Sequence, residues 1–442
     1  MYLHGKIESM KIGIIGAGFT GLSAAIKLQQ AGHTVHLFEK EAIPGGLAIG
    51  FKKPEWEWAL EKHYHHIFTS DVSIRNLADE VGCPFKFTRP NTSSLIDGDI
   101  LQLDSPIKLL QFSKLSYSER TRMGAVLGYL RYIADWHILE SETSHEWLRK
   151  MLGSHSYSLL WEPLLAGKFG EYYKEISLAW FWARIKARTT QLGYPDGGFQ
   201  KLADVVAHTI TSNKGKISYN TTVKKVSRNN NIELETDGEV KKNIYSFDRV
   251  LVTLPNLQFN AIAPNLPIEY KKKLREFQGI GAVNMVLELT ESFLKNDVYW
   301  LNICEKNFPF LAVVEHTHFI DKKYYNNNHI LYVGKYLPHG HPYFSLKPED
   351  LLEEYDPYLK KLKKNYKATI KSLFLFKVPF AQPIVPVNYS EKVLPFTTPM
   401  DGVFLANMQQ VYPWDRGTNF AVEAGERVAQ EIISSKKNGT MG

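Results

Sequence analysis

At 442 residues the chain is long enough for two domains with sizeable cores, and its 22% charged and 13% aromatic residues exclude collagen-like and disordered classes. The net charge of +7 raises nucleic acid as a partner, but much of the excess lies in local runs such as Lys271-Lys272-Lys273, the pattern of solvated helix faces, and no basic region carries a nucleic-acid fold signature. Two cysteines, Cys83 and Cys304, are too few for a disulfide framework or a thiolate metal cluster, so a reducing cytoplasm is expected. No run of 18 uncharged apolar residues exists, so no spanning helix is predicted.

Residues 1–9 lack an apolar core and read as a loose extension rather than a secretory signal. The first strand is predicted at 12–15. It runs into Gly16-Ala17-Gly18-Phe19-Thr20-Gly21 and a helix to Ala31, stopped by Gly32. Glycines there let the backbone turn tightly and approach a pyrophosphate, whose charge sits on free amides at the helix start. A lone pattern of this kind is weak, since bland strand-turn-helix units share it. Context strengthens it: 34–38 reads as a second strand, and Glu39 closes it eighteen residues after Gly21, where a carboxylate can accept both ribose hydroxyls of an adenosine half.

An NAD domain would run on into another helix. Here Glu39 is followed by Lys40-Glu41-Ala42-Ile43-Pro44 and then Gly45-Gly46-Leu47, a second glycine pair that suggests backbone crowding against a longer cofactor, FAD. With this pattern the chain resembles the flavin-containing amine oxidase superfamily, in particular its protoporphyrinogen oxidase and phytoene desaturase branch. The resemblance extends to 221–226, to 248–255, and to Gly402-Val403-Phe404-Leu405-Ala406-Asn407 with Gly417-Thr418-Asn419-Phe420 opening a helix. It implies an α/β fold: a discontinuous Rossmann-like FAD-binding domain over 10–95, 198–255 and 398–435, with an inserted α+β substrate domain over 96–197 and 256–397.

It also implies cofactor contacts: Gly16, Ala17, Gly18, Thr20, Gly21, Glu39, Lys40, Gly45, Gly46 and Leu47 in the first motif, and Val223 at the adenine through its backbone. Asn407 takes the ribityl position, where the superfamily usually offers an acid. Thr418, Asn419 and Phe420 face the flavin pyrimidine. Two departures weaken amine oxidation specifically: Asn284 stands where amine oxidases carry a lysine near flavin N5, and Gly417 where they carry half of an aromatic cage.

In the first excursion 123–139 is predicted helical, begun near Ser118; it packs against its neighbours or lies on a membrane surface. In the second, a helix is predicted near 267–277 and strands at 284–289, 310–315 and 329–336.

Three constellations are candidates for chemistry. His63-Tyr64-His65-His66 lacks metal-ligand spacing, and no metal is expected. His66 is a flavin contact, as in relatives, or an ordinary strand residue. Glu315 and His316 end an apolar run, as a general acid and base or as a strand end meeting solvent. Tyr412-Pro413-Trp414-Asp415-Arg416 precedes the flavin-facing helix, and its turn would hold Tyr412 and Trp414 near the ring; Arg184 and Arg188 are weaker candidates for capping the pocket.

The expected activity is FAD-dependent oxidation of a mainly apolar or cyclic small molecule, hydride passing to flavin N5 and then to oxygen or another acceptor. The alternatives are a flavin-dependent isomerase or mutase without net redox change, and a noncatalytic flavoprotein binding module.

Overall fold

The computed structural model describes residues 9–237 and 242–435; the expected N-terminal extension falls almost wholly outside the described residues. Five parallel strands form one sheet in the order Lys216–Ser218, Thr34–Phe38, Lys11–Ile15, Arg249–Val252 and Val403–Leu405. Their runs, such as Lys11–Ile15, are apolar without alternation because both faces are covered, one by the helix Phe19–Gln30 and the other by Phe247 of the antiparallel strand Lys242–Phe247, which lies against Gly13. The chain leaves and re-enters this sheet, so its strands come from residues far apart in sequence.

Two helices pack against each other beside it. Phe19–Gln30 and Thr418–Ser434 approach so closely that a Cβ on Gly425 would lie 2.1 Å from Ser23 Oγ and 2.3 Å from the Thr20 carbonyl oxygen. Ser23 Oγ donates to the Val422 carbonyl at 3.1 Å, binding the first helix to the last described one.

A second, seven-stranded sheet runs Ile370–Pro383, Gly279–Leu289, His329–Leu337, Ala312–Glu315, Val298–Ile303, Asn91–Ile96 and Asp99–Gln102. It is antiparallel except where Val298–Ile303 meets Asn91–Ile96. Strand Asn91–Ile96 thus crosses the boundary expected between 95 and 96 and joins the larger sheet. Buried Glu288 on strand Gly279–Leu289, second from one edge, accepts from Lys53 Nζ at 2.6 Å, Trp56 Nε1 at 3.1 Å and Asn328 Nδ2 at 2.7 Å, which satisfies an otherwise costly carboxylate.

The helix expected over 123–139 is two helices. Tyr117–Tyr132 begins within a residue of the start expected near Ser118, in a capping box between Ser116 and Glu119. Asp135 then caps a new start at Trp136–Leu139 by accepting the His137 amide at 3.0 Å. The longer helix buries Met123, Val126 and Leu130 against its neighbours. No described helix is long and apolar enough to cross a membrane.

Candidate functional site

At the first glycine motif, Gly16 adopts φ +105°, and a Cβ there would lie 2.4 Å from Thr253 Oγ1. Gly21 is packed deeper: a Cβ would lie 2.1 Å from the Gly16 carbonyl oxygen, so this glycine seats the helix on the turn. The second glycine pair folds back on the first. Gly45 N–H donates to the Ala17 carbonyl at 2.9 Å, and a Cβ on Gly46, at φ +59°, would lie 2.9 Å from Gly18 Cα.

Glu39 is buried beside this turn, accepting the Ala17 amide at 2.8 Å and the Glu41 amide at 3.0 Å. The Thr221 amide donates to the Glu39 carbonyl at 2.8 Å, which brings the start of strand Thr222–Arg228, with Val223, alongside. Thr20 is buried, Leu47 is half-buried, and exposed Lys40 lies 3.6 Å from Glu41.

The two helices expected to face the cofactor share a feature. Phe19–Gln30 starts at Gly18 and Thr418–Ser434 at Gly417; neither start has a side-chain cap or an acidic first turn. Tyr117–Tyr132 and Leu178–Ala187 are capped by Ser116 and Ser177, whereas Val72–Glu80, Gly198–Ser212 and Asn256–Ile262 also start bare. It is the glycine turn Gly16–Gly21, which Phe19–Gln30 leaves and Gly425 of Thr418–Ser434 packs against at Thr20, that sets these two helices apart. A helix start left bare in this way keeps amides and positive dipole available for an anionic group.

The histidine segment lies where the two sheets meet. Asn284 Nδ2 contacts His63 Nδ1, joining the loop beyond the second glycine pair to the large sheet. His65 Nδ1 lies 2.6 Å from the His63 carbonyl, and His66 Nδ1 lies 3.1 Å from the Tyr299 hydroxyl. Tyr64 packs edge-on to Trp300 with centroids 4.8 Å apart. Burial pushes His63 and His66 down to about 3 and His65 to about 4, so all three are neutral at pH 7. All three nonetheless stay partly accessible, the signature of side chains lining a recess rather than packed in a core.

Beside them Asp415 gathers Lys168 Nζ at 3.0 Å, Arg184 Nη1 at 2.5 Å, Trp180 Nε1 at 2.9 Å and Gln382 Nε2 at 3.3 Å. Burial would raise the Asp415 carboxyl, but Lys168, Arg184 and Arg416 outweigh it and hold it well below the usual carboxylate range. Arg416 Nε donates to Gln382 Oε1 at 3.1 Å and its Nη2 to the Tyr336 hydroxyl. Lys168, Tyr336 and Gln382 escaped the sequence reading because each stands alone in its own segment.

Several expected roles are corrected. Glu315 accepts the Phe293 amide at 3.0 Å and the Leu294 amide at 2.6 Å, and His329 Nδ1 lies 3.1 Å from its Oε1. His329 is five residues along its strand from Gly334, the partner of Asn284, roughly 16 Å away. Glu315 is therefore a structural carboxylate remote from the histidine recess. Its atoms converge with those of His318 and His329 to within 4.8 Å, a grouping of ligand types that the sequence spacing did not suggest. His316 is buried and lies 2.9 Å from the Tyr325 hydroxyl, with no access to the recess.

Tyr412 also points away: its hydroxyl donates to Glu140 at 3.0 Å and its ring packs on Trp136 and Tyr389. Trp414 does face the helix start, stacked on Phe420 with centroids 5.6 Å apart and leaning on Trp182. The Asn407 amide is consumed within the chain: Nδ2 donates to the Leu254 carbonyl and Asn256 Oδ1, while Oδ1 accepts the Gln409 amide. Asn419 Oδ1 accepts the Ile74 amide at 3.2 Å, so that side chain anchors the helix Val72–Glu80, and Thr418 stays half-buried.

The family model for flavin containing amine oxidoreductases matches residues 19–433. The chain belongs to that family. It is a FAD-dependent oxidoreductase. The 15-cis-phytoene desaturase of Narcissus pseudonarcissus is 22% identical over 96% of this chain and 80% of its own length. The hydroxysqualene dehydroxylase of Sinorhizobium fredii is 31% identical, but over only 20% of this chain and 21% of that protein. Among solved structures, a protein described as a protoporphyrinogen oxidase from Exiguobacterium sp. 255-15 is 17% identical with TM-score 0.73, covering 97% of this chain and 99% of that one. Reduced UDP-galactopyranose mutase gives TM-score 0.74 at 14% identity, covering 97% and 98%. At these identities the structures establish the fold alone.

The residues present suit FAD. Two glycine turns leave a backbone cradle that side chains would fill, and two bare helix starts offer amides.

Proposed function

We propose that the chain dehydrogenates a small molecule with a mainly apolar or cyclic body, FAD supplying the two-electron chemistry by taking a hydride at N5. The observation that carries this reading is the half-accessible recess of Tyr64, His66, Trp300 and Tyr336, where loops of the glycine cradle meet the large sheet. Gly16, Gly18, Gly45 and Gly46 would take the pyrophosphate, Glu39 the ribose, the Val223 backbone the adenine, and the start of Thr418–Ser434 the pyrimidine end.

On the substrate side, aromatic faces orient a ring and displace water. His66 keeps one nitrogen against the Tyr299 hydroxyl, and its neutral imidazole leaves the other for a polar group of the substrate. Asn284 engages His63 instead of offering a lysine, so simple primary amines are poor substrates.

The test is the purified protein's visible spectrum followed by turnover assays with the small molecules that copurify with it. Steady reduction of an added acceptor supports the dehydrogenase. Turnover only after dithionite, with no acceptor consumed, points to the isomerase or mutase; silence in both leaves a binding module.

A further inference from the structure

The recess carries more positive charge than the described carboxylates neutralise. Arg184 and Arg188 lie four residues apart at the end of helix Leu178–Ala187 and so share a face. Lys168 ends a second helix, Glu162–Phe169, and Arg416 precedes the bare start at Gly417. Electrostatic coupling links Arg188 to Arg184, Asp415 and His66, and links Tyr64 to Arg416 and Arg184, so all of these groups face one region.

Asp415 is the carboxylate bonded to this group, and it is saturated. Its two oxygens accept from Lys168, Arg184, Trp180, Gln382 and the Arg416 amide, more donors than a carboxylate has lone-pair sites. Among the described residues the Arg416 guanidinium hydrogen-bonds only neutral groups, the Tyr336 hydroxyl and Gln382. The Arg188 guanidinium has no hydrogen bond or ion pair among the described residues. It is exposed, and desolvation together with the neighbouring Arg184 charge brings it down to about 9. Burial likewise pulls Lys168 well below the ordinary lysine range, which an added anion would reverse. The hydrogen bonds of Lys168, Arg184 and Arg416 run to Asp415, Gln382 and Tyr336, none of which belongs to a glycine turn.

We propose that Arg184, Arg188 and Arg416 bind a phosphate or diphosphate group carried by the substrate. The proposal rests on the reading of this recess as the substrate side of the flavin. Guanidinium forks match phosphate oxygens bidentately. Three guanidiniums and a lysine against one spent carboxylate leave more than one positive charge. A monocarboxylate would cancel only one of these; a phosphate ester or diphosphate cancels two or more. The aromatic residues beside the cluster would then hold the oxidisable part of the same molecule.

The test titrates FAD-saturated protein with inorganic pyrophosphate at constant ionic strength, read by perturbation of the flavin absorbance and by calorimetry. Saturable binding is expected, weakened about tenfold or more in Arg188→Gln. FAD content and melting temperature should be unchanged in that variant, because the side chain holds nothing else in place. Arg188→Lys should retain part of the affinity. No saturable binding, or equal binding by Arg188→Gln, overturns the proposal, as does benzoate binding as tightly as pyrophosphate. A fall in the flavin midpoint potential of Arg188→Gln with unchanged pyrophosphate affinity would assign the cations to the reduced cofactor and overturn it too. Protein that takes up no FAD would instead sink the reading of the site beneath it.

Discussion

The cofactor cradle and the substrate recess are built by different means. The cradle is made of backbone: Gly16, Gly18, Gly21, Gly45 and Gly46 lie within thirty-one residues of one another, and Glu39 is bound to the Ala17 and Glu41 amides of the same stretch. The recess is made of side chains that meet only after folding. His66 and Tyr299 are 233 residues apart, His63 and Asn284 221, Lys168 and Asp415 247. A backbone cradle tolerates little change in shape but asks for few residue types; a side-chain recess can change its substrate while the fold stays.

This contrast can be broken most forcefully at Asp415. Asp415→Ala leaves Lys168 and Arg184 without their carboxylate, and an expected loss of about 3–5 kcal/mol follows from stranding buried charge. Differential scanning calorimetry should show a lower melting temperature. An unchanged one would mean that the recess is not held by these long-range contacts.

The cradle is probed by Glu39→Ala. Each charge-assisted bond to a ribose hydroxyl is worth about 1.5–3 kcal/mol, so the FAD dissociation constant should rise at least tenfold, measured by flavin fluorescence. The variant also frees the Ala17 and Glu41 amides, so some loosening of the first glycine turn accompanies it. Unchanged affinity would remove Glu39 from the ribose contact.

The recess should also make stability depend on pH. His63, His65 and His66 have folded pKa values lowered to about 3–4, so below pH 6.5 the unfolded chain binds protons that the folded one refuses. Stability should therefore fall as pH drops from 6.5 toward 4, by about 1 kcal/mol per histidine at pH 5 after allowing for partial exposure. Glu61 acts in the opposite sense. Burial raises it to about 7, so its contribution is present at low pH and is lost as pH rises through 7. His36 and His316, lowered to about 4 and about 3, add to the histidines, and Asp71, raised to about 6, adds to Glu61. Five histidines against two carboxyls leave a positive net slope, which urea midpoints at pH 5 and 7 would show; equal midpoints would count against neutral histidines in the recess.

The smallest effect is expected at Tyr412→Phe. Losing the bond to Glu140 should cost about 1 kcal/mol and leave FAD binding and turnover intact. A large loss of turnover would return Tyr412 to the active site.

How much was legible in the sequence follows the same division. Strand Thr34–Phe38 and the helix from Phe19 were readable to within a residue, because glycine turns, apolar runs and caps are local signals. Glu315 and His316 misled because a polar pair ending an apolar strand looks the same whether it faces a ligand or the Phe293 and Leu294 amides. Tyr412 misled because closeness in sequence to the helix start says nothing about the direction of a side chain across a turn. Asn407 was placed on the right strand end, but its amide is used by Leu254, Asn256 and Gln409, partners that no local pattern reveals. Arg188 was visible only as a weak candidate, since the lack of a partner is a property of the folded protein.

The contact between Ser23 and Val422, with Gly425 against Thr20, carries a consequence for biosynthesis. The turn at Gly16–Gly21 is made well before the helix that leans on it, which arrives some four hundred residues later. During translation the nascent chain therefore carries half a nucleotide site until that helix is made. Flavin capture then waits for the helix Thr418–Ser434, and ribosome-bound chains stalled before residue 418 should remain colourless in the presence of excess FAD.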